Sequence, residues 1–183
     1  MKKIILDLTI SLDGFIEGKN QDVDWIIVDE ETEQDFLTFA DEIDTVLYGG
    51  FSYESYGNYV PDESVTQLVK DFYGKVNEMQ KFVFSKTLTS VGNNAILIND
   101  GIIEAINSIK KNAKKDVWLF GGAGLVTTLL NLDLIDEIRI GVQPVVLGEG
   151  IPLFKEIKSK KNFKLLKTKT YKSGVVGLYY KPY

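Results

Sequence analysis

The sequence contains no cysteine and no histidine. Without cysteine there is no disulfide, no thiolate nucleophile and no Cys-type zinc site. Without histidine there is no Ser-His-Asp triad and no imidazole-held metal. Chemistry is left to carboxylates, lysines, tyrosines, hydroxyls and whatever a cofactor supplies. A two-carboxylate hydrolase or a hard-metal site stays open on composition, but no acidic motif of the calcium-loop kind occurs and no metal site is expected. No apolar run reaches the length of a membrane span. Internal repeats, low-complexity tracts and linkers are also missing. The formal charge of −5 argues against general affinity for nucleic acid or an anionic membrane, so neither is expected as a partner. The opening Met1-Lys2-Lys3-Ile4-Ile5-Leu6 resembles the start of a signal peptide, but Asp7 breaks the apolar region. A first strand and a cytoplasmic protein are expected instead.

What is present is an ordinary globular chain of 183 residues, 44% hydrophobic and 26% charged, enough for one domain with a proper core. Strand patterns are expected at Lys3–Ile10, Thr45–Tyr48, Lys81–Ser85, Ala95–Ile98, Asp116–Phe120 and Asp136–Val142. Helical periodicity covers Asp29–Asp44, Ser64–Met79, Gly101–Lys111 and Ala123–Leu130, and Phe51–Tyr56 opens a further helix. In Gly101–Lys111, Ile102, Ile103, Ile106 and Ile109 are expected to face inward. Ser11 to Gly18 reads as a loop. Phe163–Tyr171 and Val175–Lys181 form a hairpin around Lys172-Ser173-Gly174. Strands alternating with helices and closing on a hairpin argue one α/β domain with a mostly parallel sheet and an antiparallel edge.

Val117-Trp118-Leu119-Phe120 runs straight into Gly121-Gly122-Ala123-Gly124-Leu125-Val126. Glycine lets a backbone approach a ligand closely, and the free N–H groups opening a helix suit a phosphate. The segment is not a full G-x-G-x-x-G, because position 127 is Thr. It is either a phosphate cradle or a tight strand-to-helix turn. Val46-Leu47-Tyr48 meets Gly49-Gly50-Phe51-Ser52-Tyr53 in the same way, with Ser52 serving a phosphate or capping a helix. A third strand ends in Ser85-Lys86. All three lie at carboxyl ends of strands, the edge where open α/β sheets bind ligands. Together they favour an extended, multiply phosphorylated ligand, a dinucleotide.

Four segments carry a family resemblance. Ser11-Leu12-Asp13-Gly14-Phe15-Ile16 resembles an S-x-D-G-x-I opening. Gly49-Gly50-Phe51-Ser52-Tyr53-Glu54 resembles G-R-x-T-Y-E, and Phe120-Gly121-Gly122-Ala123-Gly124 a strand-G-G junction. Pro144 to Phe154, PVVLGEGIPLF, resembles a P-x-x-L-G-x-G-x-P-L-F loop. The chain thus resembles the dihydrofolate-reductase-like superfamily over essentially its whole length. It is most similar to the riboflavin-biosynthesis reductase branch, the RibD C-terminal domain. The resemblance implies one such domain over residues 1–183, NADPH as hydride donor, a small heterocyclic substrate and a homodimer. It implies that Gly49, Gly50, Phe51, Ser52, Tyr53, Ser85 and Lys86 hold the adenosine phosphate end. Gly121, Gly122, Ala123, Gly124, Leu125 and Val126 would hold the pyrophosphate and ribose, with Thr9 and Ile16 near the nicotinamide. The family's arginine after the first glycine is Gly50 here. Its absence opens NADH use, weaker NADPH binding or a dinucleotide-binding protein without catalysis.

Candidate catalytic residues are Glu33, Asp13 and Trp25. By the same resemblance Glu33 is the acid on the first helix that meets the substrate's ring, either as a proton donor in a dry pocket or as a solvated acid favouring the helix dipole. Trp25 belongs to a substrate loop or to the core, and Asp13 serves the site or caps its own turn. Eight lysines between Lys155 and Lys172 make either an anion-binding run or the solvated face of an edge hairpin.

Overall fold

The computed structural model of the protein describes residues 1–92 and 94–183. In chain order the elements are β1 (Ile4–Ile10), β2 (Phe15–Gly18), α1 (Glu30–Glu42), β3 (Ile43–Gly49), α2 (Gly50–Tyr56), α3 (Gln67–Glu78), β4 (Gln80–Phe84) and β5 (Ala95–Ile98). There follow α4 (Ile102–Asn112), β6 (Asp116–Gly121), α5 (Ala123–Asn131), β7 (Glu137–Val142), β8 (Gly150–Pro152), β9 (Phe163–Thr170) and β10 (Val176–Pro182). They make an α/β domain with a mostly parallel central sheet and an antiparallel C-terminal hairpin, as the alternation of patterns requires. Within it the chain forms two compact units, Met1–Ile4 with Glu30–Gly122, and Ile5–Asp29 with Ala123–Tyr183.

In the first unit β5, β4, β3 and β6 lie side by side in that order, all parallel. Val46, Leu47 and Tyr48 of β3 and Val117, Trp118 and Leu119 of β6 are buried in succession, so both faces of the strands are covered. Continuous apolar runs are what a parallel sheet covered on both faces demands. One cover is aromatic. The Trp118 ring meets Phe39 of α1 edge-on at 5.6 Å, Phe72 of α3 at 5.9 Å and Phe120 at 5.0 Å. Phe120 continues to Tyr48 at 4.8 Å and Tyr56 at 5.6 Å. These edge and tilted contacts suit the ring quadrupoles.

Lys81 is fully buried in β4. Its Nζ donates to the Asn77 carbonyl at 3.0 Å, in the last turn of α3, and the Asn94 amide donates to the same carbonyl at 2.8 Å. A cation suits the negative end of a helix. Burial pushes the ammonium's pKa down.

In the second unit β1 runs parallel to β7, β10 antiparallel to β7 and β9 antiparallel to β10. The hairpin turns as its sequence predicts. Tyr171 N donates to Val175 O at 2.9 Å, Gly174 N donates to Tyr171 O at 3.0 Å, and Gly174 has φ +89°. The lysine-rich β9 is exposed along almost its whole length. Lys167 and Lys169 lie over the rings of Tyr179 and Tyr171 at 4.2 and 4.7 Å. Helix α5 packs through Val126 and Leu129, both without exposure.

Two expectations need correction. Ser11 to Gly18 is not all loop, because β2 pairs antiparallel with β8 in a separate two-stranded sheet. Four and three residues are too few to show alternation. Ile103 is 45% exposed, whereas Ile106 and Ile109 are buried. At 3.6 residues per turn, positions 102, 106 and 109 share a face and 103 lies about 100° away.

Trp118→Ala removes the ring on which Phe39, Phe72 and Phe120 converge. It is expected to cost about 3–5 kcal/mol, read as a lower midpoint in urea-induced unfolding. A variant whose midpoint matched the wild type would contradict the aromatic core described here.

Candidate functional site

The strands β3, β4 and β6 of the first unit end at glycines or hydroxyls, and these ends touch. A Cβ added at Gly50 would lie 2.8 Å from Ser85 Oγ, 3.1 Å from Ser85 Cβ and 3.4 Å from Leu88 Cδ1. A Cβ at Gly122 would lie 3.0 Å from Ser52 Oγ. Gly121 has φ +116°, a conformation that L side chains rarely adopt, and the Gly121–Gly122 peptide is cis. The expected cluster of Gly49, Gly50, Ser52, Ser85, Gly121 and Gly122 therefore comes together within one unit.

The members differ in what they have left to offer. The Ser85 hydroxyl already accepts from Thr87 N at 3.2 Å and Leu88 N at 3.1 Å, closing its own turn. Tyr53 is buried, and its hydroxyl accepts from Gly92 N at 3.0 Å and from the Asn58 amide at 3.4 Å. Its ring packs edge-on against Tyr48 at 6.0 Å. Tyr53 thus anchors the neighbouring loops. Ser52 is buried above Gly122. Phe51 is 52% exposed and Lys86 is exposed, so an aromatic face and a cation border the cluster.

In the second unit, Gly124, the second residue of α5, has nothing within 4 Å of its added Cβ. Ala123, Leu125 and Val126 around it are buried. The open space beside Gly124 and the free N–H groups of the first turn suit an approaching anion. Thr9 pairs with Gly141 across β1 and β7, and a Cβ at Gly141 would come within 3.2 Å of Thr9 Oγ1. A glycine inside a strand marks such a close approach. Ile16 is the extra residue of a β-bulge: Phe15 faces Pro152 and Glu17 faces Ile151, so two steps on β2 oppose one on β8.

The three candidate catalytic residues are held differently. Asp13 is bound on several sides. Its Oδ1 accepts from Ser11 Oγ at 2.6 Å and from Leu147 N at 3.2 Å, and its Oδ2 accepts from Gly148 N at 2.7 Å. Ser11 Oγ in turn accepts from Phe15 N at 3.0 Å. The Ser11 hydroxyl and the two amides hold the carboxyl below its ordinary range. Asp13 therefore clamps the 144–154 loop onto the β1–β2 turn, beyond capping its own turn. Glu33, in the first turn of α1, accepts at Oε2 from Thr66 Oγ1 at 2.8 Å, and the same Thr66 caps α3 by accepting from Val69 N at 3.3 Å. Trp25 is half-buried and donates from Nε1 to Asp22 O at 3.1 Å.

Two residues of the second unit had no sequence motif to announce them. Gln143 is buried, accepts from Ile27 N at 3.0 Å and donates to Ile27 O at 3.3 Å, fastening the segment around Trp25 to the end of β7. Glu17 on β2 has a buried Oε2 with no hydrogen-bond partner. Burial pushes its carboxyl above the ordinary range. Among the described residues no group of three or more acids could hold a metal, and no helix is long and apolar enough to cross a membrane.

Comparison with known proteins fits this geometry. The RibD C-terminal domain family matches residues 2–177. The chain belongs to that family. It is 48% identical over 179 residues to the uncharacterized protein YyaP of Bacillus subtilis (strain 168), covering 98% of this chain and 94% of that one. A crystal structure from Shewanella sp. PV-4 superposes with a TM-score of 0.80 at 23% identity, covering 100% of this chain and 99% of the other. Dihydrofolate reductase from Enterococcus faecalis, complexed with NADP(H), superposes with a TM-score of 0.67 at 13% identity, covering 98% and 96%. The RibD C-terminal chain thus has the dihydrofolate-reductase-like fold that its four motifs imply.

Two predictions follow from the clamp and the cluster. Asp13→Ala should increase amide hydrogen exchange at Leu147 and Gly148. In the wild type that protection is present above the ordinary carboxylate range and lost as pH falls through the lowered value of Asp13. Unchanged exchange in the variant would show that the loop holds itself. Gly50→Ala should lower the melting temperature, because its Cβ must displace Ser85, whose hydroxyl is already committed. A neutral result in a thermal melt would mean that the Ser85 turn yields freely.

Proposed function

We propose that this RibD C-terminal protein is a reductase that takes hydride from a dihydronicotinamide dinucleotide and delivers it to a small heterocycle. The observation that carries this reading is the meeting of strand ends at Gly50 with Ser85 and Gly122 with Ser52, where backbone replaces side chains. The close packing of these ends itself calls for glycine, and the same glycines put backbone where a phosphorylated ligand could lie. Within the first unit, the glycine backbone beside the exposed cation Lys86 suits the phosphate-bearing end of a dinucleotide.

In this reading Gly49 to Tyr53 with Ser85 and Lys86 hold the adenosine phosphate end, Tyr53 by holding the loops in place. Gly121 and Gly122 close the first unit's share of the cradle. Ala123 to Val126 hold the pyrophosphate through the backbone at Gly124, and Thr9 and Ile16 flank the nicotinamide. When bound, the dinucleotide supplies hydride. The chain's residues orient it and keep water from a C=N or C=O carbon of the substrate, while water or a carboxyl such as Glu33 supplies the proton. The substrate class is a pteridine- or pyrimidine-like ring, including the ribosylaminopyrimidine phosphate implied by the family.

Gly50 favours a second reading of the cofactor. No arginine stands at this position to grip a 2′-phosphate with its fork of donors, and Ser85 and Leu88 fill the space a side chain would need. Lys86 alone offers a point charge. NADH therefore competes with NADPH, and a dinucleotide-binding protein without turnover shares the same site.

A thermal-shift titration with NADPH, NADH and FMN side by side tests the assignment. A ligand at about 100 times its Kd adds roughly 2.7 kcal/mol, which should raise the melting temperature by about 5–11 °C for a chain of this size. A shift with either nicotinamide dinucleotide supports the reading, and their ratio reports what Gly50 does. No shift with either at millimolar concentration sinks it, and a shift with FMN alone replaces it with a flavin site.

A further inference from the structure

The two faces of the first unit's sheet are covered differently. Lys81 of β4 sends its ammonium to the Asn77 carbonyl of α3. Successive strand residues point to opposite faces, so Gln80 and Phe82 look the other way, toward α4. There the cover is incomplete. Ile106 and Ile109 of α4 are buried, but Phe82 and Ile98 are only half-buried and Ile96 is 46% exposed. A groove of about 620 Å³ runs between α4 and the strands. Its helix wall is the stripe of Ala105, Ser108 and Asn112, whose short side chains leave the space above Phe82 and Ile98 unfilled. Proteins hold small organic ligands in cavities of roughly 300–1,000 Å³.

The floor of the groove is apolar and one end is polar. Ser108 Oγ accepts from Asn112 Nδ2 at 3.3 Å, which leaves the Ser108 O–H and the second Asn112 N–H to donate. Lys114 lines the same end and is exposed. The acid there is Asp44. Its Oδ1 accepts from Thr45 Oγ1 at 2.9 Å, and its Oδ2 accepts from Lys114 N at 2.8 Å and Lys115 N at 3.1 Å. Both oxygens are thus turned to the protein's own donors. Lys110, Lys111, Lys114 and Lys115 stand at this end of α4, and their surplus over Asp44 and Asp116 makes the rim cationic. Thr45 and Gln80, which pair at the amino ends of β3 and β4, also line this end. The glycine end of β3 lies about 13 Å along the strand.

We infer that this groove is a second ligand site, built for a small organic acid. The apolar body of the acid lies over Phe82 and Ile98, and its anionic group meets Ser108, Asn112 and Lys114. No residue of the glycine cluster lines the groove, so the site stands apart from the reductase reading.

The test titrates the full chain with 8-anilinonaphthalene-1-sulfonate, whose fluorescence rises on leaving water, and with N-phenyl-1-naphthylamine, the same frame without the anion. Wild type should bind the sulfonate more tightly. Lys114→Met should weaken sulfonate binding about 2–5-fold, the range of an exposed ion pair, and leave the neutral amine unchanged. Ala105→Phe fills the groove and should abolish binding of both. The chain has no cysteine, so Ser108→Cys places a single thiol in the groove whether or not Ala105→Phe folds. Saturating sulfonate should slow alkylation of that thiol by iodoacetamide and leave Ser64→Cys, in the loop before α3, reacting at its free rate. An unprotected thiol at position 108, equal binding of the two probes to wild type, or no binding of either overturns the inference. So does displacement of the sulfonate by NADPH or NADH, which would place it at the glycine ends. Dimerisation that Ala105→Phe abolishes, with no sulfonate bound to wild type, would give the groove to a second copy of the chain instead.

Discussion

Three parallel strands can end within contact of one another only where side chains are absent. At Gly50 the clearance to the Ser85 hydroxyl is 2.8 Å for an added Cβ, and at Gly122 it is 3.0 Å to Ser52. Real Cβ contacts are essentially never as short as the first and rarely as short as the second. The registers β3–β4 and β3–β6, the aromatic cover over Trp118 and the cap that Thr66 gives α3 all lead to strand ends that must satisfy this constraint. The aromatic side of the sheet supplies the cohesion.

The second unit solves its local problem with hydrogen bonds. The 144–154 loop turns through Gly148 at φ +79°, leaving successive amides at Leu147 and Gly148 pointing outward from their own chain. Asp13 takes both, and Ser11 joins the clamp to the start of β2 through Phe15. Gln143 does the same for residue 27, with a donor and an acceptor matched to one peptide unit. The short β2–β8 ladder is thus held by side chains at its ends more than by its own length. This is why a sheet of such short strands, marginal by itself, is present at all.

Much of this was legible in the sequence. Long periodic segments such as α1, α3 and α5, and the hairpin of β9 and β10, follow from patterns that a single chain can display. The glycine junctions at positions 49–50 and 121–122 stand out in the sequence as strand-to-helix turns, but a phosphate cradle and a tight turn look alike there. What could not be read is the matching of distant groups. Asp13 and Gly148 are 135 residues apart, and nothing in either local sequence names the other. Glu33 looked available as an acid, yet its partner Thr66 lies 33 residues on. Tyr53 sat inside a ligand motif, but its hydroxyl is taken by Gly92, 39 residues away. β2 and β8 were too short to show a period, and Glu17 carried no motif.

The satisfied and unsatisfied groups divide the polar residues by role. Asp13, Gln143, Tyr53 and Lys81 are each answered by the protein itself, so their chemistry goes into holding the fold. Among the described residues the Glu17 Oε2 is buried and not answered. A fold stable by only a small margin does not leave a buried carboxyl oxygen unpaired without consequence, since such an atom costs about 1–3 kcal/mol. Burial raises the proton affinity of that carboxyl, so protonation relieves part of the cost. The same reasoning separates Gly50 from a simple loss of arginine. Ser85 and Leu88 occupy the space beside Gly50, so any larger side chain placed there must first displace them.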